Sequence, residues 1–202
     1  MKDNIAAAPP IPVLFSAAFT SGAGWNGGEA YANVFIGSAA DGGPGQASGN
    51  GENMTFVAVF DREKPNSAPV FSASAPNNTT PPAGLDSYLT DQFILFVATA
   101  AFVSQVPQGE LFTLLMANGG DSKLRQMETL GTHFACGVGG NLVYLLASVP
   151  GTGLPGLEFL QIRSEAAPSS PTAPQAYTNS PYQMLMELIP GADGLYTPMQ
   201  YS

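Results

Sequence analysis

A chain of 202 residues, 45% of them hydrophobic, is long enough for one domain with a substantial core and too short for two equal ones. Only 10% of the residues are charged, against roughly 25% in an average soluble domain, so much of the surface must be Gly, Ser, Thr, Asn, Gln and Pro. Fifteen acidic against six basic residues give a net charge of −9, which excludes a phosphate-backbone partner, because that needs clustered Lys and Arg.

The chain opens with an extended arm over residues 1–12. Its end, Ala8-Pro9-Pro10-Ile11-Pro12, cannot continue a helix, and Pro9, Pro10 and Pro12 are candidates for lying on a neighbouring subunit. The start carries no apolar run of signal-peptide type. The expectation is use without that export route, or a leader already removed. Val13 to Thr20 and Ala30 to Gly37 predict strands by alternation and β-branched content, separated by turn residues around Ser21-Gly22-Ala23-Gly24. Trp25 and Asn26 between them, with Tyr31 at the start of the second, are the best candidate sugar platform, since a flat aromatic with amide neighbours meets both faces of a pyranose. A Trp buried against the sheet is the competing reading.

Asp41 to Asn53 is nearly all Gly, Asn, Ser and Asp and predicts a loop. Met54 to Phe60 is the next strand, and Ser67 to Ser74 a weaker one. Leu85, Leu89, Phe93, Phe96 and Ala100 recur at spacings of three and four, which predicts a helix from Leu85, with a strand from Phe93 to Val103 as the alternative. Neither stretch reaches the roughly 18 residues of a membrane span. Leu111 to Met116 reads as a strand. Asp121 or Ser122 can cap a helix that carries Leu124, Met127 and Leu130 on one face and stops at Gly131.

Asn141 to Ala147 and Leu157 to Ile162 are the last strands of a core spanning 13–163. Residues 164–202 then form a Pro- and Ser-rich linker and an apolar tail. Tyr182, Met184, Leu185 and Leu188 make that tail a candidate docking segment, on its own domain or on a partner. The fold class expected is mostly β with two helices (α+β), a compact β-sandwich-like single domain with an N-terminal arm and a C-terminal strap.

Reactive chemistry is sparse. Cys136 is the sole cysteine, so no intrachain disulfide and no multi-cysteine metal site can form. His133, three residues before it, with Asp121 upstream, permits a Cys–His pair on paper, but a buried thiol beside a helix end is the stronger reading. Gly137-Val138-Gly139-Gly140-Asn141 matches a phosphate loop only in glycine content and reads as a turn. Asp41, Asp61, Asp86 and Asp91 lack the spacing of a calcium loop. Asn53-Met54-Thr55 and Asn77-Asn78-Thr79 fit the glycosylation pattern. No catalytic residue, metal or cofactor is expected.

One collinear set of motifs points to a family. Gly51-Glu52-Asn53 before a strand, Leu85-Asp86-Ser87-Tyr88, Val106-Pro107-Gln108-Gly109, Leu130-Gly131-Thr132 and the closing Asn141-Leu142-Val143-Tyr144-Leu145-Leu146 follow one another in order. That order resembles the interleukin-like EMT inducer (ILEI) lectin-like domain over residues 14–160. The family shows Gly-x-Asn before a strand, Phe-Asp-Thr-aromatic before a helix, Pro-x-Gly before a strand and Leu-Gly-Ser before the final strand. Leu85 stands in place of its Phe, Asn50 in place of a frequent Arg, and the paired cysteines of its secreted members are absent. The resemblance implies a β-sandwich with two helices that recognises rather than turns over, as in secreted signalling proteins and a glycan-binding glycosyltransferase stem. With the scarce charge, the arm and the tail, it leads to the expectation of a non-enzymatic assembly protein. Such a protein would be a structural subunit of a virion, tail or other extracellular particle, its partners other subunits in a homo-oligomer, with no nucleic acid. A free glycan-binding lectin or adhesin is the alternative.

Overall fold

The computed structural model describes residues 8–21, 28–37, 45–52, 54–75, 78–102, 105–133, 140–164 and 182–201. In chain order these give β1 (Ile11–Ser21), β2 (Gly28–Ile36), β3 (Gly45–Glu52), β4 (Met54–Asp61), β5 (Phe71–Ala75), a 3-10 turn (Leu85–Tyr88) and β6 (Phe93–Phe102). Then come α1 (Gly109–Ala117), α2 (Ser122–His133), β7 (Gly140–Ser148), β8 (Leu157–Ser164), β9 (Tyr182–Pro190) and β10 (Tyr196–Gln200). Two five-stranded antiparallel sheets result, in the orders β10-β9-β1-β2-β3 and β5-β4-β6-β7-β8. The fold is thus mostly β with two helices, a β-sandwich in one domain.

Alternation along the first sheet sends one set of side chains inward. Val13, Phe15 and Ala17 of β1, Ala30, Ala32, Val34 and Ile36 of β2, and Met186 and Leu188 of β9 are buried between the sheets. They meet Phe56, Ala58 and Phe60 of β4 and Ile94, Phe96 and Ala98 of β6. Phe96 packs edge-on against both Phe15 and Phe60, with ring centroids 5.4 Å and 5.7 Å away. The second sheet is buried on its other face too, where Val57, Val59, Leu95, Val97, Tyr144 and Leu146 meet Leu85, Leu111, Leu115, Leu124 and Met127. Three layers therefore stack as sheet, sheet and helices.

This layering explains where the elements depart from the sequence expectation. The helix that starts at Leu85 is a single 3-10 turn and the strand alternative holds from Phe93, because a strand covered on both faces needs apolar residues at every position and so mimics a buried helix. Leu111 to Met116 is helix rather than strand: Leu111 and Leu115, four apart, are its buried pair and Phe112, Leu114 and Met116 fill the flanks. Asp41 to Asn53 is not all loop, since Gly45 to Glu52 pairs with β2 as the edge strand β3. One of its glycines is required there: a Cβ on Gly49 would strike the Phe56 ring and the Ser74 hydroxyl, so only glycine lets β3 lie this close to the second sheet. α2 runs through the buried Gly131 to His133 instead of stopping at the glycine. Strands β1, β2, β4, β7 and β8 lie within two residues of where the sequence reading put them.

The apolar tail docks on its own chain. β9 adds to β1 in register, Leu14 opposite Leu185 and Ile11 opposite Leu188, and β10 folds back on β9. β1, the first strand of the chain, thereby becomes the centre of the first sheet.

Candidate functional site

Among the described residues no element packs on the outer face of the first sheet, where Leu185 and Tyr31 are exposed while Ser16 and Ala18 of the middle strand are buried. α1, α2 and the 3-10 turn all pack on the far side of the second sheet, and the outward residues of β9, β1 and β2 form transverse rows. Leu185, Leu14 and Phe35 stand side by side in one row. The next row toward the end of β1 holds Gln183, Ser16 and Asn33, continued by Ser48 of β3. Ala18, Tyr31 and Asn50 form the row after that. Leu185 is 62% exposed, Met199 51% and Tyr31 39%, so large apolar groups face solvent here rather than core. Among the described side chains that alternation turns outward on this sheet, Glu187 alone is charged.

The candidate residues from sequence divide across this geometry. Tyr31 stands on the open face, beside Asn50 and with Asn33 two residues along the same strand. Trp25 and Asn26 belong to the segment joining β1 to β2 and lie outside the described residues. Pro9 and Pro10 are exposed just before β1, and Pro12 is an exposed member of β1 itself, opposite Glu187. Leu185 points outward, whereas Met184 and Tyr182 are half-buried against the core and Leu188 is wholly buried in it. The tail thus leaves Leu185 exposed and keeps Leu188 for the fold. The open face itself was not read from sequence as a surface; its outward residues lie on strands that sequence identified, but their adjacency depends on strand order.

Two polar clusters tie the layers together. Glu158 of β8 accepts hydrogen bonds from the backbone N–H of Asp121 at 3.0 Å, Lys123 at 3.1 Å and Leu124 at 3.0 Å, and from the Tyr144 hydroxyl at 2.8 Å. A carboxylate from a strand thus does the capping that sequence assigned to Asp121 or Ser122, satisfying the unpaired donors at the positive end of α2. Burial pushes the Tyr144 phenol well above its ordinary value, and the negative charge of Glu158 and their hydrogen bond push it the same way. In the second cluster, beyond the end of β4, Arg62 is only 8% exposed. Its guanidinium donates to the carbonyls of Tyr196 at 2.7 Å and Asp91 at 2.6 Å and to the Thr197 hydroxyl at 2.9 Å. The Arg62 carbonyl in turn accepts from Tyr196 N–H at 3.1 Å, so this residue fastens β10 to the second sheet. Both clusters are consumed by structure.

The remaining candidates are not gathered. His133 is exposed at the last turn of α2 and Asp121 precedes its first, so the length of a twelve-residue helix, about 18 Å, separates them; Cys136 lies outside the described residues. Asp61 accepts a hydrogen bond from Glu63 N–H at 2.8 Å, Asp86 sits in the 3-10 turn, Asp91 is exposed, and Asp41 is outside the described residues. Among the described residues no three His, Cys, Asp or Glu side chains converge as metal ligands, and no helix is long and apolar enough to cross a membrane. Of the glycine run, Gly140 and Asn141 open β7 and the rest is outside the description, as are Asn53 and Asn77 of the glycosylation patterns; Thr55 is buried. What the described arrangement offers is a sheet face on which Glu187 is the one charge among the described side chains. Searches for similar proteins found no matching family, no matching curated sequence and no matching solved structure.

Proposed function

We propose that this chain is a non-enzymatic recognition and assembly protein, a structural subunit of a virion, tail or other extracellular particle, built on a lectin-like sandwich of the ILEI kind. The observation that carries this reading is the open outer face of the first sheet, with Leu185 and Met199 more than half exposed and Glu187 its single described charge. Exposed apolar area of this kind marks a contact surface. The exposed prolines at the entry to β1 supply an extended segment beside that face, and the low charge of the whole skin lets subunits pack closely. Sedimentation velocity and negative-stain microscopy of the purified full chain test it. Concentration-dependent assembly into defined oligomers is the expected result, and a monomer at every concentration refutes it.

A glycan-binding reading draws on Tyr31, an exposed aromatic of β2 with Asn50 opposite it on β3 and Asn33 two residues along its own strand. Under this reading Tyr31→Ala and Trp25→Ala each abolish binding on a glycan array and leave the melting temperature nearly unchanged. An array on which the wild-type chain binds nothing removes the lectin reading.

A further inference from the structure

We infer that two copies of this chain pack through the outer faces of their first sheets, about a two-fold axis that runs along β1. This rests on the assembly reading and names the surface that performs it. Four observations converge on a second copy as the occupant.

The first is position. β1 is the middle strand of the sheet, with β9 and β10 on one side and β2 and β3 on the other. In a face-to-face pair, an axis along β1 keeps the position along the strand and exchanges the two sides. Leu14 then meets the Leu14 of the other copy, and each Leu185 meets a Phe35, because Leu185, Leu14 and Phe35 share one row. The apolar row is its own complement, as an isologous contact requires. In the adjoining row Ser16 is already buried within its own chain, and each exposed Gln183 meets an Asn33, amide against amide.

The second is charge. Two molecules of net charge −9 repel, so they can meet only where like charges are not forced together. Glu187 is the single charge among the described side chains of this face, with Glu29 and Glu52 paired at the far end of β2 and β3 and outside that set, and the axis places the two Glu187 residues on opposite sides, opposite Gly37 of the other copy. They stand two strand spacings apart, about 10 Å, at or beyond the screening distance of about 8 Å in physiological salt.

The third is size. Five strands at about 4.8 Å spacing and about 28 Å in length present a face of about 650 Å², close to the roughly 800 Å² per partner of a standard stable interface. The fourth is shape: two sheets stacking face to face at about 10 Å is a standard packing mode for twisted sheets, with strand directions within about 30° of each other.

The test uses the full chain. Leu185→Lys places a charge where the row must close, and since Leu185 is mostly solvent-exposed the fold tolerates it. Sedimentation equilibrium is expected to show the dissociation constant rising at least tenfold, by the cost of facing an ammonium against Phe35. Leu154→Lys, at an equally exposed leucine in the turn before β8, leaves association unchanged. In a Cys136→Ser background, Leu14→Cys lies on the axis and is expected to link to its own copy with a short bismaleimide, whereas Gln46→Cys, at the edge strand, is not. Association that survives Leu185→Lys, with Leu14→Cys unlinked, overturns this interface and leaves the assembly reading standing. A wild-type chain that stays monomeric overturns both.

Discussion

Glu158 stabilises a helix to which it does not belong. One carboxylate accepts three backbone N–H groups at the start of α2 and the hydroxyl of a buried tyrosine, so β8, α2 and β7 share a single junction. The pairing has a direction in pH. Tyr144 holds its proton in the folded state more tightly than in the unfolded chain, where the phenol ionises near its ordinary value of about 10. Its contribution is complete below that pH; above it the unfolded phenol loses its proton first, and stability falls until the folded phenol also ionises. Tyr144→Phe is therefore expected to cost about 1 kcal/mol at neutral pH, the value of a lost hydrogen bond. Above pH 10 the difference from wild type should narrow by up to about 1.4 kcal/mol per pH unit and then reverse. Chemical denaturation at neutral pH and at two alkaline values checks this, and parallel pH profiles for the two proteins would contradict it.

Strand β9 shows how one element divides its labour. Met186 and Leu188 are buried between the sheets, while Leu185 faces outward from the same strand. Leu188→Ala should cost about 2–5 kcal/mol, the transfer and cavity terms of a core leucine. Leu185→Ala should stay within about 0.5 kcal/mol when the chain is held dilute enough to be monomeric. Equal losses from the two substitutions, read as shifts in denaturant midpoint, would mean that β9 does not pair with β1 in this register. Periodicity found β9 as an apolar tail but could not say which of its residues face inward, because that depends on the partner strand. The same dependence accounts for the two misread segments. Residues 93–102 are apolar at nearly every position because the strand is covered on both sides, and residues 111–116 are apolar because one helix face and both its flanks lie on the second sheet.

At the scale of the molecule, scarce charge and an acidic balance combine with one open face. If copies meet through that face, the attraction is apolar and the opposition electrostatic. Raising ionic strength from about 0.05 M to about 0.5 M shortens the screening length from roughly 14 Å to roughly 4 Å. Association should therefore tighten with salt, as light scattering across a salt series would show. Contacts built on ion pairs would weaken instead. The outer face could not be named from sequence as a site: Leu14, Phe35 and Leu185 lie far apart along the chain and become one row only through the order β9-β1-β2.

Composition and alternation alone determined that this chain is a single mostly β domain with a core, that it lacks the cation clusters of a nucleic-acid binder, and that most of its strands fall where β-branched and aromatic residues cluster. These follow from local preference and from the amount of apolar surface available to bury. Tertiary structure decided the rest: which apolar runs are strands and which are helices, that glycine-rich β3 is part of the sheet, that the tail pairs with β1, and that Glu158 caps α2. Each of those depends on what lies across from a residue, and contact between distant segments is not encoded in the period of either one.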